Sequence, residues 1–147
     1  MKTFDAIVPA ISSDTAGPLG AVHLPRLWLK LTLASVGALA EGYDECGAGF
    51  DAMTLAALGL DREKTIAFVR RDKPTYMEFE RWVVRNGKTD RATIERHNAA
   101  IRGYDHGADL AARMRSTSKI EAEHIADAVT LNTIEDLDEI YRHVIRR

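Results

Sequence analysis

Arg26 and Lys30 stand one helical turn apart in an otherwise almost wholly apolar stretch, LPRLWLKLTLASVGALAEGY, over residues 24–43. Side chains at i and i+4 project from one stripe of a helix, and a helix this apolar is covered by protein on nearly all sides. A cation inside protein needs a partner. Glu41, Asp44, Glu45 and Asp51 follow closely enough to supply one. Two arrangements fit these residues. In the first, Arg26, Lys30, Tyr43 and Asp51 line a pocket for an anionic small molecule. The guanidinium fork then grips a carboxylate or phosphate, the ammonium acts as a point charge or a base, and Tyr43 orients the ligand. In the second, the same charges form an ion-pair network that ties the first helix to the loop at 43–51.

The remaining chemistry-bearing residues offer less. His97 and Asn98 fall on an otherwise apolar helix face, where His97 is a satisfied core histidine or a general base, and Asn98 a further ligand contact. Lys30, Tyr43 and His97 are therefore the catalytic candidates. Arg26, Lys30, Tyr43, Asp51 and Asn98 are the ligand-binding ones. No HExxH occurs among the five histidines. Glu121, His124 and Asp127 share a spacing of three, yet one Glu-x-x-His pair is short of a di-iron set, so a solvated face is expected and no metal or organic cofactor. The lone Cys46 lies beside Asp44 and Glu45, whose charge raises a thiol pKa. Gly47 and Gly49 follow no strand and make no dinucleotide fingerprint. Ser12-Ser13 has no nucleophile elbow around it. With no complete catalytic signature, whether the protein is an enzyme stays open.

Helical elements must position these residues. Residues 1–23 read as an irregular arm, with two prolines, two glycines and a Ser-Ser-Asp-Thr cluster. Pro25 opens a helix expected to end near Gly42. Asp51 is the expected N-cap of a short helix stopped by Gly59, and Asp61 caps the next. Thr75 to Glu78 is a capping box that launches a helix with Tyr76, Phe79 and Trp82 on its core side, ended by Asn86-Gly87. Thr89 or Asp90 caps the helix bearing Ile94, His97, Asn98 and Ile101. Ser118 to Glu121 reads as a second capping box, and Thr133 as the cap of a last helix whose inner face is Ile134, Leu137, Tyr141, Val144 and Ile145. Period-two alternation is absent. The class is all-α, a compact single-domain bundle of six to eight helices with a C-terminal helical extension over 117–147.

The 147 residues carry a net charge of -2, near balance, which argues against a nucleic-acid grip. The one cysteine excludes an intramolecular disulfide and a cysteine-cage zinc site and suits the cytoplasm. The apolar run is too short to span a membrane and contains Lys30. The amphipathic tail, residues 118–147, is an alternative centre of function, as the contact of a homodimer or an accessory subunit.

In their order, LPR at 24–26, Lys30, Glu41-Gly42-Tyr43, Phe50-Asp51, Leu58 to Asp61, Trp82-Val83, Asn86-Gly87-Lys88 and Asn98 resemble the DUF5069 family of small bacterial helical proteins. The likeness covers roughly residues 18–105. Leu29 stands where that pattern has an acid, and Glu41-Gly42-Tyr43 carries one residue more than the usual Gly-Glu-Tyr. The resemblance implies a helical unit over 24–116 and supplies no reaction.

Overall fold

The computed structural model describes residues 6–145, so the start of the arm and the Arg146-Arg147 end lie outside it. Seven α-helices make up the described chain: α1 (Leu24–Ser35), α2 (Phe50–Ala57), α3 (Arg62–Asp72), α4 (Tyr76–Asn86), α5 (Arg91–Arg102), α6 (Ala108–Ser118) and α7 (Ala128–Ile145). The fold is all-α, as the absence of period-two alternation requires. Among the described residues there is no strand, only isolated bridges such as Ile7 to Leu39.

α1 is central. Leu24, Leu27 and Leu31 recur on one face, all at most 1% exposed, and pack with Leu55, Leu58, Val69, Phe79 and Val83. Burying each such side chain contributes about 1.5–3 kcal/mol. α1 leans on α3 and α4, α2 on α5, and α7 on α5 and α6. A second cluster of Val22, Phe50, Ile101 and Ala128 joins the arm, α2, α5 and α7.

Asp61, Thr75 and Asp90 cap their helices as their types predict: Asp61 accepts from Lys64 N at 2.8 Å, Thr75 from Glu78 N at 3.3 Å and Asp90 from Thr93 N at 3.2 Å. Pro25 lies in the first turn of α1, Gly59 follows the end of α2 with a left-handed φ of 64°, and Asn86-Gly87 ends α4, as expected, whereas other boundaries differ from the sequence reading. α1 stops at Ser35, not near Gly42, because Gly37 takes a left-handed φ of 69° and the next residues pair with the arm: Ile7 N donates to Ala38 O and Ala40 N to Ile7 O. Asp51 is not the cap of α2. That place belongs to Gly49, and no side chain caps the helix. Ser118 ends α6 instead of opening a helix, and Thr133 lies within α7. Asp127, which accepts from Thr130 N at 2.9 Å, starts α7. Leu137, Tyr141, Val144 and Ile145, expected inside, are more than half exposed, and the buried positions are Ala128, Leu131 and Asp136. The inner face of α7 is thus set by its first three turns.

The arm is irregular as expected, but buried side chains hold it. Arg26 donates to Pro9 O and Ile11 O, Glu80 accepts from Leu19 N, and Asn98 bridges Gly20 O and Val22 N. These contacts give the arm the hydrogen bonds that a sheet would otherwise supply.

Candidate functional site

Two charged clusters branch from the Arg26–Lys30 stripe. In the first, the Lys30 ammonium bonds Asp51 Oδ2. Asp51 Oδ2 also accepts from Gly47 N at 2.8 Å, and Oδ1 lies 2.7 Å from His23 Nε2. The chain of contacts continues from His23 Nδ1 to Ser13 Oγ at 3.0 Å. Ser13, His23 and Asp51 are each 2% exposed and Lys30 is 9% exposed. Four polar side chains in series at such burial form a fully committed network, with every member's partner in place.

Local structure brings them together. Ser12 to Thr15 form a turn in which Thr15 N donates to Ser12 O and Asp14 N to Ser12 Oγ. The arm then folds back so that His23 N reaches Thr15 O at 3.1 Å, which sets Ser13 beside the imidazole. His23 occupies the N-cap position of α1, where Ser, Thr, Asp or Asn stabilises best. It makes no cap and holds a left-handed φ of 69°, a conformation costing on the order of 1–3 kcal/mol in a non-glycine residue. Its side chain is committed to Ser13 and Asp51 instead. Strain of this kind concentrates at functional positions.

Electrostatics divide the roles. Burial lowers the His23 pKa and outweighs the opposing bond to Asp51, so the imidazole is neutral near pH 7. Burial pushes the Asp51 carboxyl up, but the bonds and charges of His23 and Lys30 overcome it and hold the group at about 2. Asp51 is therefore an acceptor, which puts the imidazole proton on Nε2 and the lone pair of Nδ1 towards the Ser13 hydroxyl.

The second cluster holds Arg26, Tyr43 and Asp136. Arg26 forks onto Asp136 at 2.5 and 3.2 Å, and the Tyr43 hydroxyl donates to Asp136 Oδ1 at 2.8 Å. Burial and the Asp136 bond raise the Tyr43 pKa, so the phenol keeps its proton.

A cavity of about 240 Å3 opens onto the first cluster, lined by Ser13, His23, Arg26, Lys30, Asp51 and His106 among others. The structure brings Arg26, Lys30 and Asp51 to one opening. Tyr43 does not line it and instead holds Asp136. His97 and Asn98 are not brought to the cavity: His97 Nε2 meets Val22 O at 2.9 Å, and both residues anchor the arm. Of the carboxylates near in sequence, only Asp51 pairs with this stripe. Glu45 meets Arg70, and the partner of Arg26 comes from α7. Each cation is matched by one acid, so the opening has no surplus of positive charge.

Sequence reasoning missed Ser13, His23 and Asp136. The left-handed turn that aims His23 has no local signature, and residues 13, 23 and 51 meet only through tertiary folding. Cys46 is buried, and burial with the Asp51 charge raises its thiol pKa, which fits an inert cysteine. Among the described residues no His, Cys, Asp and Glu cluster could hold a metal ion, and no helix is long and apolar enough to cross a membrane. Compared with known proteins, the chain matches no family model and no curated protein.

Proposed function

We propose that the cavity beside Lys30 and Asp51 binds a small molecule through an anionic or carbonyl oxygen. The supporting observation is the four-residue series Ser13, His23, Asp51 and Lys30, which is buried yet faces an opening. An ion-pair staple between α1 and α2 needs Lys30 and Asp51 alone. It needs neither a strained histidine nor a hydroxyl on its far side. The oxygen end of the ligand meets the uncapped start of α2, whose first backbone N–H groups favour negative charge, beside the paired Lys30. A cavity of about 240 Å3 is below the range of drug-sized pockets, roughly 300–1,000 Å3, which selects a compact ligand. The same reading keeps the chain with the DUF5069 family, over roughly residues 18–105, and suits a cytoplasmic protein, where a single buried thiol stays reduced.

Thermal-shift titration with small carboxylates and esters tests the idea. At a hundred times its Kd a ligand stabilises by about 2.7 kcal/mol, a readily measured rise in Tm. Ala48→Leu, at an exposed lining position, is expected to abolish that rise and leave the unliganded Tm unchanged. A wild-type protein that no such compound shifts would remove the proposal.

A second reading rests on α7. Leu137, Tyr141, Val144 and Ile145 are 54–64% exposed at i, i+4, i+7 and i+8, and they form an unpartnered apolar stripe. Beside this stripe the acids Glu135, Asp138 and Glu139 lie towards the N-terminal side of Tyr141, and the bases Arg142 and His143 towards its C-terminal side. An antiparallel second copy of α7 sets acid against base in both directions, as a two-fold contact demands. Light scattering is expected to give a dimer mass for the wild type and a monomer mass for Tyr141→Glu. A wild-type monomer at high concentration excludes this contact.

A further inference from the structure

We propose that Ser13 is a nucleophile and His23 its general base, and that together they hydrolyse a small carboxylic ester in the cavity. This rests on the reading of that cavity as a small-molecule site and adds a reaction to it. A serine hydroxyl is a weak nucleophile until an adjacent base takes its proton, and the base must itself be oriented by a third group. All three parts are present. Ser13 Oγ lies 3.0 Å from His23 Nδ1, and His23 Nε2 lies 2.7 Å from Asp51 Oδ1. Lys30 and Gly47 N fix the carboxylate, so the imidazole has one tautomer and one orientation. The ring is turned end for end relative to the usual serine-hydrolase arrangement, with Nδ1 towards the hydroxyl. Proton transfer needs a lone pair at hydrogen-bond distance, and either ring nitrogen provides it.

The steps balance without a cofactor. Ser13 Oγ attacks the ester carbonyl carbon, the Oγ–C bond forms, and the hydroxyl proton passes to His23 Nδ1. Collapse of the tetrahedral intermediate breaks the bond to the alcohol oxygen, which leaves with that proton. Water then attacks the acyl carbon and gives a proton to Nδ1. Ser13 Oγ departs and takes the proton back, and a carboxylic acid is released. The uncapped N-terminus of α2, whose Gly49 and Phe50 line the same cavity, favours the oxyanion of each intermediate, while Lys30, at the far end of the series, acts through Asp51. The cavity volume restricts the acyl group to a short one.

The test is labelling of the full chain with a small alkyl fluorophosphonate, read by intact mass and peptide mapping, beside hydrolysis of p-nitrophenyl acetate. The expected result is one adduct, on Ser13. Ser13→Ala is expected to lose it, and His23→Gln to slow it by at least about 100-fold. Because Ser13→Ala could be argued to unfold the arm, Ser13→Cys is labelled with iodoacetamide: selective alkylation at position 13 over Cys46 supports the array. No adduct, or an adduct elsewhere, overturns the inference. If the ligand titration above still shifts the Tm, the failure is of the chemistry alone; if it does not, the cavity reading falls as well.

Discussion

Arg26 and Asp136, 110 positions apart in sequence, meet through a forked pair of hydrogen bonds of 2.5 and 3.2 Å. Both are buried, and Tyr43 Oη completes the carboxylate's partners. Removing one member of a buried pair strands the other. Asp136→Ala is expected to cost about 3–5 kcal/mol, measured by urea denaturation. Tyr43→Phe removes one hydrogen bond to a charged group and is expected to cost about 1.5–3 kcal/mol. Equal losses from the two variants would contradict this ordering.

Lys30→Met leaves Asp51 with His23 and Gly47 as partners. The positive charge of Lys30 helps to keep the imidazole neutral, so its removal is expected to raise the His23 pKa. An NMR titration of the His23 ring follows this directly. An unchanged or lower value in the variant counts against the Lys30–Asp51–His23 coupling.

Stability is expected to fall as the solution is acidified below about pH 6.5. His23 and His97 both sit below their ordinary value, each because burial disfavours the cation. A depressed pKa means that the unfolded chain binds the proton first, so stability is complete above the unfolded value near 6.5 and is lost as pH drops. Each site contributes a slope of at most about 1.4 kcal/mol per pH unit in this window. Asp51, held at about 2, adds its own loss below about pH 4. Melting curves between pH 8 and 3 show the two stages, and His23→Gln is expected to flatten part of the upper one. A Tm independent of pH between 7 and 5 opposes the assignment of neutral, buried histidines.

Gly87→Ala is expected to destabilise by about 1–3 kcal/mol through overpacking. A Cβ there would lie 2.6 Å from Leu58 O and 2.9 Å from Val83 O, both backbone atoms with little room to shift. The glycine lets the end of α4 close on the turn after α2, where Lys88 N donates to Leu58 O at 2.6 Å. A Tm equal to that of the wild type would show that the turn yields.

The elements that the sequence displayed best were those decided locally. Asp61, Thr75 and Asp90 announced their helices because a cap satisfies N–H groups two or three residues away. The apolar stripe of α1 likewise announced a buried helix, and Arg26 and Lys30 on it marked the neighbourhood of the cavity. What periodicity could not supply was the partner of each charge. Asp51 is near enough in sequence to be guessed, whereas Asp136 reaches Arg26 only because Ala128 and Leu131 dock α7 on the body. The stripe of Leu137, Tyr141 and Val144 has helical spacing yet faces outward, since the pattern tells which residues share a face and not what the face meets. His23 was passed over for a related reason. Its role follows from a left-handed backbone angle, and no spacing encodes that.

The forked contact between Arg26 and Asp136 also sets an order of events during synthesis. At about 5–20 residues per second, a ribosome needs on the order of ten seconds to travel from one codon to the other. Throughout that interval α1 carries a guanidinium destined for the interior with its carboxylate not yet made, so the Arg26 side of the body is completed only when α7 arrives.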